Sequence, residues 1–321
     1  MANINNSICR SIANIDKLTR EEWLVKRMEG IGGSDAGAVV GLNEYKSPIA
    51  VWQEKTGRKT ETEDNDYLRI GRDLEDYVAS RFEEETGKKV YRCKKMLQSV
   101  ENPFMLADVD RLVYGEQAGL EIKTASPYKW KDWKNGDIPI HYQIQCNHYM
   151  AVTGLDKWYI CALIYPHIEI REIERDEEII RMLTKLEGEF WNNYVVENEM
   201  PPIDGSSATE DSLIQMYPIA HVNEIVQLDS LESMCDRYFE IDKLIDKLED
   251  EQAEIKHTIC SKMGVAETAF IGGSKYKATW KTHKAREYPD TKKMKEDGIF
   301  EKYKKPAGNP IRYFMLRNEE E

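Results

Sequence analysis

The amino-acid sequence predicts an α/β or α+β core followed by a helical extension. Within the first 199 residues, segments with helical spacing of apolar side chains alternate with short runs typical of strands. Residues 200–212, MPPIDGSSATEDS, then concentrate Pro, Gly and Ser between two better-patterned regions. A long amphipathic helix follows this segment. We therefore expect a core domain over residues 1–199, a linker over residues 200–212 and an extension over residues 213–321.

The elements of the core follow from the spacing of apolar residues. Residues 66–86 place Leu74, Val78 and Phe82 at helical spacing, and Gly87 ends the pattern. The remaining predicted helices cover residues 20–29, 139–152 and 176–198, and a further helix begins at Ser34 or Asp35 after the Gly-rich turn. The predicted strands cover residues 89–98, 104–114, 118–124, 157–164 and 167–173. This order indicates a sheet with helices on its faces.

The extension has a different pattern. Between residues 225 and 263, apolar residues such as Ile241, Ile245 and Leu248 recur at spacings of three, four or seven, which is typical of a helix that is coiled-coil-like for part of its length. Residues 266–282 predict a β-hairpin that turns at Gly272-Gly273. From residue 274 to 312 there are twelve Lys or Arg and five Asp or Glu residues, so this segment is locally basic.

Composition narrows the class of protein. Hydrophobic residues make up 41% of the 321 residues, which is enough for a sizeable core. No apolar run approaches the ~20 residues of a membrane span, and the N-terminus has no secretory pattern, so we expect a cytoplasmic protein without a membrane segment. The net charge of −13 excludes a simple cationic coat for nucleic acid, but it leaves room for local basic patches.

The chemically informative residues lie in residues 105–124. Asp110 ends one predicted strand, and Glu121 and Lys123 follow in the next. Because alternate residues of a strand face the same side, Glu121 and Lys123 point together, and a neighbouring strand brings Asp110 to the same point. Carboxylate oxygens suit Mg²⁺, and an ammonium can orient an attacking water, so this set is suited to phosphodiester hydrolysis. An isolated Glu-x-Lys in a strand is more often a solvated face.

The pattern D-(x10)-E-x-K resembles the PD-(D/E)xK nuclease superfamily, and the first ~200 residues more closely resemble the YqaJ-type viral recombinase nucleases, which are relatives of phage lambda exonuclease. Four further segments resemble motifs of this family. They are residues 31–35 with 41–48 (IGGSD and GLNEYKSP), 52–57 (WQEKTG), 71–75 (GRDLE) and 143–154 (QIQCNHYMAVTG). The resemblance implies a restriction-endonuclease-like core with a central mixed sheet flanked by helices.

The resemblance also implies roles for individual residues. Asp110, Glu121 and the backbone carbonyl of Ile122 would bind the metal, Mg²⁺ or Mn²⁺ as a substitute, with Glu75 as a further acidic ligand. Lys123 would position or deprotonate the attacking water.

Further residues resemble those that contact DNA in the family. Gln145 and Tyr149 lie four residues apart on one helix face and would orient the water and the DNA backbone. Arg27 and Ser34 resemble a pair that grips a 5′-phosphate, and Asn147 stands where a second Gln is frequent. The sequence departs from the family at Asp108, which places a second carboxylate two residues before Asp110.

The implied activity is a Mg²⁺-dependent exonuclease. It would degrade linear double-stranded DNA from 5′ ends and leave 3′ single strands for an annealing recombinase. The family further implies a ring-shaped homotrimer, encoded by a phage or prophage and acting in the bacterial cytoplasm. Two alternatives remain open: a structure- or site-specific endonuclease on the same core, and a non-catalytic module that binds DNA ends or a partner protein.

Overall fold

A computed structural model describes residues 4–58, 66–305, 312 and 314–318 of the chain. Contacts between residues divide it into two compact units, Met1–Met216 and Tyr217–Glu321. No helix within the described part of the chain is long and apolar enough to cross a membrane.

In the described part of the first unit, nine strands form two sheets. In chain order they are β1 (Cys9–Asn14), β2 (Ile31–Gly32), β3 (Val90–Arg92), β4 (Lys95–Ser99), β5 (Met105–Asp108), β6 (Arg111–Val113), β7 (Ala118–Ala125), β8 (Lys157–Ile164) and β9 (His167–Glu174). One sheet has the order β1-β4-β5-β2, and the other has the order β3-β6-β7-β8-β9. Each sheet is mixed: β2 pairs parallel with β5, β7 pairs parallel with β8, and the other pairs are antiparallel.

Helices of the first unit cover these sheets. They are α1 (Arg20–Arg27), α2 (Gly33–Val39), α3 (Pro48–Lys55), α4 (Asp66–Thr86), α5 (Ile140–Thr153), α6 (Glu177–Phe190) and α7 (Ser207–Met216). Val78 and Phe82 of α4 pack with Leu120 and Ile122 of β7 in one core cluster. Because side chains alternate along a strand, Glu121 and Lys123 then lie on the opposite face of β7, and Glu121 contacts α5.

Helix α5 joins the two sheets. Its residues Cys146, Tyr149 and Met150 pack in a cluster that contains Leu97 and Met105 of the four-stranded sheet and Trp158 of the five-stranded sheet. Helices α2 and α6 contact α5 as well. Residues of α5 therefore pack against both sheets in one core cluster.

The predicted mixed α/β core with flanking helices is confirmed, and its strands are divided between two mixed sheets. The predicted strands 89–98 and 104–114 are each interrupted, so that β3 and β6 enter one sheet while β4 and β5 enter the other. Each interruption is a connection of two residues, after β3 and after β5. Strand β1 and helix α3 have no counterpart in the prediction.

The predicted linker, residues 200–212, overlaps α7. This helix packs on α3, and the hydroxyls of Ser47 and Ser212 lie 2.8 Å apart in a buried hydrogen bond. The division into compact units falls after Met216.

The second unit contains the predicted long helix and hairpin. Helix α8 (Glu232–Met263) has 32 residues and begins seven residues later than the predicted segment. Strands β10 (Thr268–Ile271) and β11 (Tyr276–Thr279) pair antiparallel, with Gly272-Gly273 in the turn between them. Two short helices, α9 (Thr291–Glu296) and α10 (Phe300–Tyr303), follow.

Candidate active site

A cleft of about 550 Å³ in the first unit contains most of the predicted site residues. Residues that line it include Arg27, Ser34, Glu75, Asp108, Asp110, Glu121, Lys123, Gln145 and Tyr149. They come from α1, α2, α4, α5, β5, β7 and the β5–β6 connection. Arg27 and Tyr149 are 122 residues apart in the sequence, and the fold brings both to this one cleft.

Asp110 lies where the chain leaves one sheet and enters the other. The backbone pairing of β6 with β7 ends at Arg111 and Leu120. Beyond this pair, the side chain of Asp110 replaces a backbone partner, because its Oδ2 accepts a hydrogen bond of 2.8 Å from the backbone N–H of Ile122. The N–H and C=O of one strand residue point to the same edge. The carbonyl of Ile122 is therefore directed to the edge where Asp110 lies.

Glu121 is 3% exposed and uses only one of its two carboxylate oxygens. Lys123 Nζ lies 2.6 Å from Oε1, and Gln145 Nε2 donates to the same oxygen at 2.7 Å. The second oxygen, Oε2, is buried and has no hydrogen-bond partner. A buried carboxylate oxygen without a partner carries a large desolvation cost, which a bound cation would remove.

The electrostatics of the pair also favour a cation. Burial, and then the charge of Glu121, raise the pKa of Asp110 well above its usual value. Burial likewise raises the pKa of Glu121, although Lys123 opposes this effect. Burial lowers the pKa of Lys123, but Glu121, Tyr142 and Asp110 together outweigh it and the pKa is raised, so Lys123 carries a positive charge. The two adjacent buried carboxylates therefore resist carrying both negative charges beside one lysine, and a bound cation would allow both to ionise.

These residues fit Mg²⁺. No group of three or more His, Cys, Asp or Glu side chains among the described residues is arranged to hold a metal ion. Mg²⁺, however, is commonly bound through one or two carboxylates and keeps several waters for substrate phosphates. Asp110, the Glu121 carboxylate with its unpartnered Oε2, and the Ile122 carbonyl are hard oxygen donors of this kind.

Glu75 reaches the cleft, but its carboxylate forms an ion pair with Arg111. Arg111 is 4% exposed and also donates to Asp76 and to the backbone carbonyl of Asp110, at 2.7 Å each. Sequence reasoning missed Arg111, although its position directly after Asp110 was a usable signal. Its guanidinium ties α4 to the backbone of the β5–β6 connection.

Arg27 and Ser34 lie together at one end of the cleft. The Arg27 guanidinium donates to Ser34 Oγ at 3.2 Å and lies 3.4 Å from the buried carboxylate of Asp35. Asp35 also pairs with Lys46 at 2.8 Å and Lys55 at 2.7 Å. Burial raises the pKa of Asp35, but these three cations outweigh it and hold the pKa well below its usual value. Sequence reasoning missed Asp35 as the centre of this cluster.

Asp108 faces α1 instead of the Asp110–Glu121 pair. Its Oδ2 accepts a hydrogen bond of 2.8 Å from the indole N–H of Trp23, and burial raises its pKa. Arg20 and Arg27 both lie over the Trp23 ring, with guanidinium-to-centroid distances of 4.5 and 4.8 Å. Asp108 therefore anchors the helix that carries Arg27.

Tyr149 and Gln145 share the cleft-facing side of α5, with Gln145 Nε2 donating to the Tyr149 hydroxyl at 3.0 Å. The Tyr149 ring packs so closely on Gly33 that a Cβ at Gly33 would lie 2.5 Å from it. Asn147 does not line the cleft: its side-chain N–H donates to the Gln143 carbonyl at 3.0 Å, and its Oδ1 is buried without a partner. Two residues along a helix turn Asn147 about 200° from Gln145, away from the cleft. That Asn147 contacts DNA stays a prediction.

The fold and the cleft define a mixed α/β protein with a paired-carboxylate and lysine site. The model of the YqaJ-like viral recombinase domain matches residues 22–156, which include every residue of that site. The uncharacterized protein YqaJ of Bacillus subtilis (strain 168) is 40% identical over 301 residues, covering 92% of this chain and 93% of that protein. The chain belongs to the YqaJ-like viral recombinase family.

Among the solved structures that the chain resembles are two that are described as exonucleases. The alkaline exonuclease LHK-Exo from Laribacter hongkongensis is 21% identical with a TM-score of 0.45, and the match covers 55% of this chain and 93% of that one. A phage-related exonuclease from Haemophilus somnus 129PT is 14% identical with a TM-score of 0.38, covering 53% of this chain and 96% of that one.

Proposed function

We propose that the protein is a Mg²⁺-dependent nuclease that digests linear double-stranded DNA from its 5′ ends and leaves 3′ single strands for an annealing recombinase. The observation that carries the proposal is the Glu121 carboxylate, which has one buried oxygen without a partner and the other oxygen held by Lys123 and Gln145. Membership of the viral recombinase family supports DNA as the substrate.

In this proposal Asp110, Glu121 and the Ile122 carbonyl hold Mg²⁺, which supplies Lewis-acid polarisation of the phosphate and an activated water. Lys123 presents its ammonium beside Glu121, where it can orient the attacking water and stabilise charge on the phosphoryl oxygens. Gln145 fixes the orientation of Glu121, and Tyr149 in turn accepts from Gln145. Glu75 stays a candidate for a further acidic ligand, but its carboxylate would have to leave its ion pair with Arg111 to bind the metal.

The polarity rests on the anion site at the end of the cleft. Arg27 and Ser34 together offer a guanidinium and a hydroxyl, which suit a terminal phosphate. Asp35 holds Arg27 and Lys46 in place through short ion pairs. By family resemblance, three copies would form a ring around the duplex in the cytoplasm of a bacterial host.

The test is a gel assay with Mg²⁺ on linear duplex DNA labelled at the 5′ or the 3′ end, and on the same DNA as a closed circle. We expect early loss of the 5′ label and an intact circle. The matched variants are Lys123→Ala, which removes the site lysine, and Lys129→Ala, which removes an exposed lysine paired with Glu44 outside the cleft.

Activity that is lost in Lys123→Ala and kept in Lys129→Ala supports the site. Cleavage of the closed circle would contradict an exonuclease and identify the protein as an endonuclease. Binding of DNA without hydrolysis in either Mg²⁺ or Mn²⁺ makes it a DNA-end-binding module and overturns the proposal.

A further inference from the structure

Helix α8 of the second unit carries an apolar stripe that is exposed to solvent. Its exposed members are Met234, Tyr238, Ile241, Ile245, Leu248 and Ile255. They are spaced alternately by four and three residues, except that Gln252 occupies the position between Leu248 and Ile255. Helix α8 is about 48 Å long at 1.5 Å per residue, which accommodates four heptads, and this is the usual minimum for a stable coiled coil.

The spacing assigns heptad positions without ambiguity. A step of three runs from position a to d, so Tyr238, Ile245 and Gln252 are a positions, and Ile241, Leu248 and Ile255 are d positions. Residues just before an a position are g, and those just after a d position are e. In parallel helices in register, each g residue faces the e residue five positions further along the other helix.

The charges at these flanking positions are complementary for a second copy of the same helix. Arg237 at g faces Asp242 of the second copy at e, and Glu251 at g faces Lys256 of the second copy at e. The intervening pair, Leu244 with Glu249, and the following pair, Thr258 with Met263, place no like charges together. Arg237 is paired within its own helix to Glu240, but both side chains are more than half exposed, so this pair is easily exchanged.

Gln252 supports the same alignment. In a parallel pair in register it meets Gln252 of the second copy, where two amides can hydrogen-bond to each other. An alignment shifted by one heptad places it against Ile245 or Ile259 and leaves its amide buried without a partner.

We propose that α8 is a self-association segment, which forms a parallel, in-register coiled coil with α8 of a second copy of this chain, a contact separate from those that would close a ring of three copies. The complementary g–e charges, the single polar a position and the exposed seam carry the proposal. The competing occupant on the chain itself is the C-terminal segment, whose Phe314 ring lies 6.2 Å from the Tyr238 ring at one end of the seam.

The test is cysteine cross-linking of the full-length chain. In a background with Cys235→Ser and Cys260→Ser, which removes the two cysteines of α8, Ile241→Cys and Ile255→Cys are introduced separately and oxidised. A parallel in-register pair brings each position opposite itself, so both variants should form covalent dimers on a non-reducing gel. The matched controls are Lys243→Cys and Asp250→Cys at outward f positions, which should cross-link at least tenfold more slowly.

An antiparallel pair can bring only one of the two positions opposite its own copy, so dimers from Ile241→Cys or Ile255→Cys alone overturn the parallel arrangement. Cross-linking of neither above the controls overturns self-association and leaves another partner or the C-terminal segment on the seam. Lys123→Ala should not alter the result, because the cross-link reports helix pairing and not hydrolysis.

Charge reversal gives an independent measurement. Arg237→Glu with Glu251→Lys makes both g–e pairs repulsive, and so does Asp242→Arg with Lys256→Glu. Each double variant should cross-link slowly when it is alone. An equimolar mixture of the two should recover the original rate, because both g–e charge pairs between two different chains are then attractive. Failure of the mixture to recover contradicts the proposed alignment.

Discussion

Glu121 is the residue on which the candidate active site most depends, and its role can be measured without an activity assay. Glu121→Gln keeps the shape of the side chain but removes the charge that would bind Mg²⁺. For the native protein we expect Mg²⁺ at about 100 times its Kd to stabilise the fold by about 2.7 kcal/mol. The variant should lose this stabilisation, as measured by thermal unfolding with and without Mg²⁺. Glu172→Gln, on β9 outside the cleft, is the matched control and should keep it. An unchanged Mg²⁺ response in Glu121→Gln contradicts the metal assignment.

Arg27 should act on the chemistry of the DNA end. Removing a charge-assisted hydrogen bond costs about 1.5–3 kcal/mol. We therefore expect Arg27→Ala to slow digestion of 5′-phosphorylated ends by about 10- to 100-fold and of 5′-hydroxyl ends much less. The rates are compared on matched duplexes, with Arg69→Ala, an exposed arginine of α4 paired with Asp66, as the control. Equal losses on both ends would remove the phosphate site from the mechanism.

The sequence predicted which side chains lie together when local strand or helix geometry brings them together. It did not predict contacts that form only when the fold buries a residue. Glu121 and Lys123 share a face because alternate residues of a strand always do. Arg27 and Ser34 lie in contact, as the resemblance implied. Asp35, by contrast, reads in the sequence as an ordinary helix-start residue, and only the fold surrounds it with cations from α1 and α3 and the loop before α3.

At the scale of elements, the contact between α2 and α5 brings Ser34 close to Tyr149 and permits no side chain at Gly33. A Cβ there would lie 2.5 Å from the Tyr149 ring. We expect Gly33→Ala to lower the free energy of unfolding by about 1–3 kcal/mol, the usual cost of overpacking. Denaturant unfolding measures this loss. Gly205→Ala, which has open space around it, should be close to neutral. A neutral Gly33→Ala would show that α2 and α5 separate without cost.

A buried ion pair connects three further elements, and it makes stability depend on pH. His148 of α5 places Nδ1 2.9 Å from Glu187 of α6 and Nε2 2.8 Å from the carbonyl of Leu106 in β5, so both ring nitrogens face acceptors. Burial lowers the pKa of His148, but Glu187 and this carbonyl outweigh it and the pKa is raised. The pair therefore contributes fully below the unfolded pKa of about 6.5 and is lost as pH rises through the folded value.

We expect the free energy of unfolding to fall as pH rises above about 6.5, because the unfolded chain then releases the proton that the folded chain retains. His148→Asn should flatten this part of the profile and cost about 3–5 kcal/mol at pH 6 by leaving Glu187 buried and unpaired. Denaturant titrations at several pH values measure both effects. The exposed His221→Asn is the control, and an identical slope in native protein and His148→Asn would exclude the pair as its source.

The pattern of the sequence could not predict that the strands divide between two sheets. Residues 89–98 and 104–114 have continuous strand propensity, and nothing local in them marks the two-residue connections at which the chain changes sheets. Asp110 lies in one of these connections, which explains why its side chain can continue the β6–β7 ladder. Helix α3 was missed for another reason: Ile49, Val51, Trp52, Gln53 and Lys55 are all buried, so it lacks the alternation of polar and apolar faces that reveals a helix.

At the scale of the whole molecule, the two compact units separate the chemistry from the candidate assembly segment. The paired carboxylates, the lysine and the proposed anion site all lie in Met1–Met216, and helix α8 with the basic segment lies in Tyr217–Glu321. The boundary between them matters for any truncation, because the predicted core domain, residues 1–199, stops short of α7. Ala208, Thr209 and Ser212 of α7 are buried, and Ser212 bonds to Ser47 at the start of α3.

We therefore expect a chain of residues 1–216 to unfold cooperatively and to keep the Mg²⁺ response, whereas residues 1–199 should be less stable by several kcal/mol. The shorter chain exposes the surface of α3 that α7 covers, which costs about 25 cal/mol of stability for each Å² of apolar area. It also removes Ser212, the hydrogen-bond partner of the buried Ser47 hydroxyl. Chemical denaturation of both chains measures the difference. In residues 1–216, Ser212→Ala removes the hydrogen bonds of this hydroxyl with Ser47 and with the Ala208 carbonyl while keeping α7, and it should cost about 1 kcal/mol. The exposed Glu210→Ala is the control. Equal stability of the two chains would show that α7 is dispensable and return the boundary to the predicted linker.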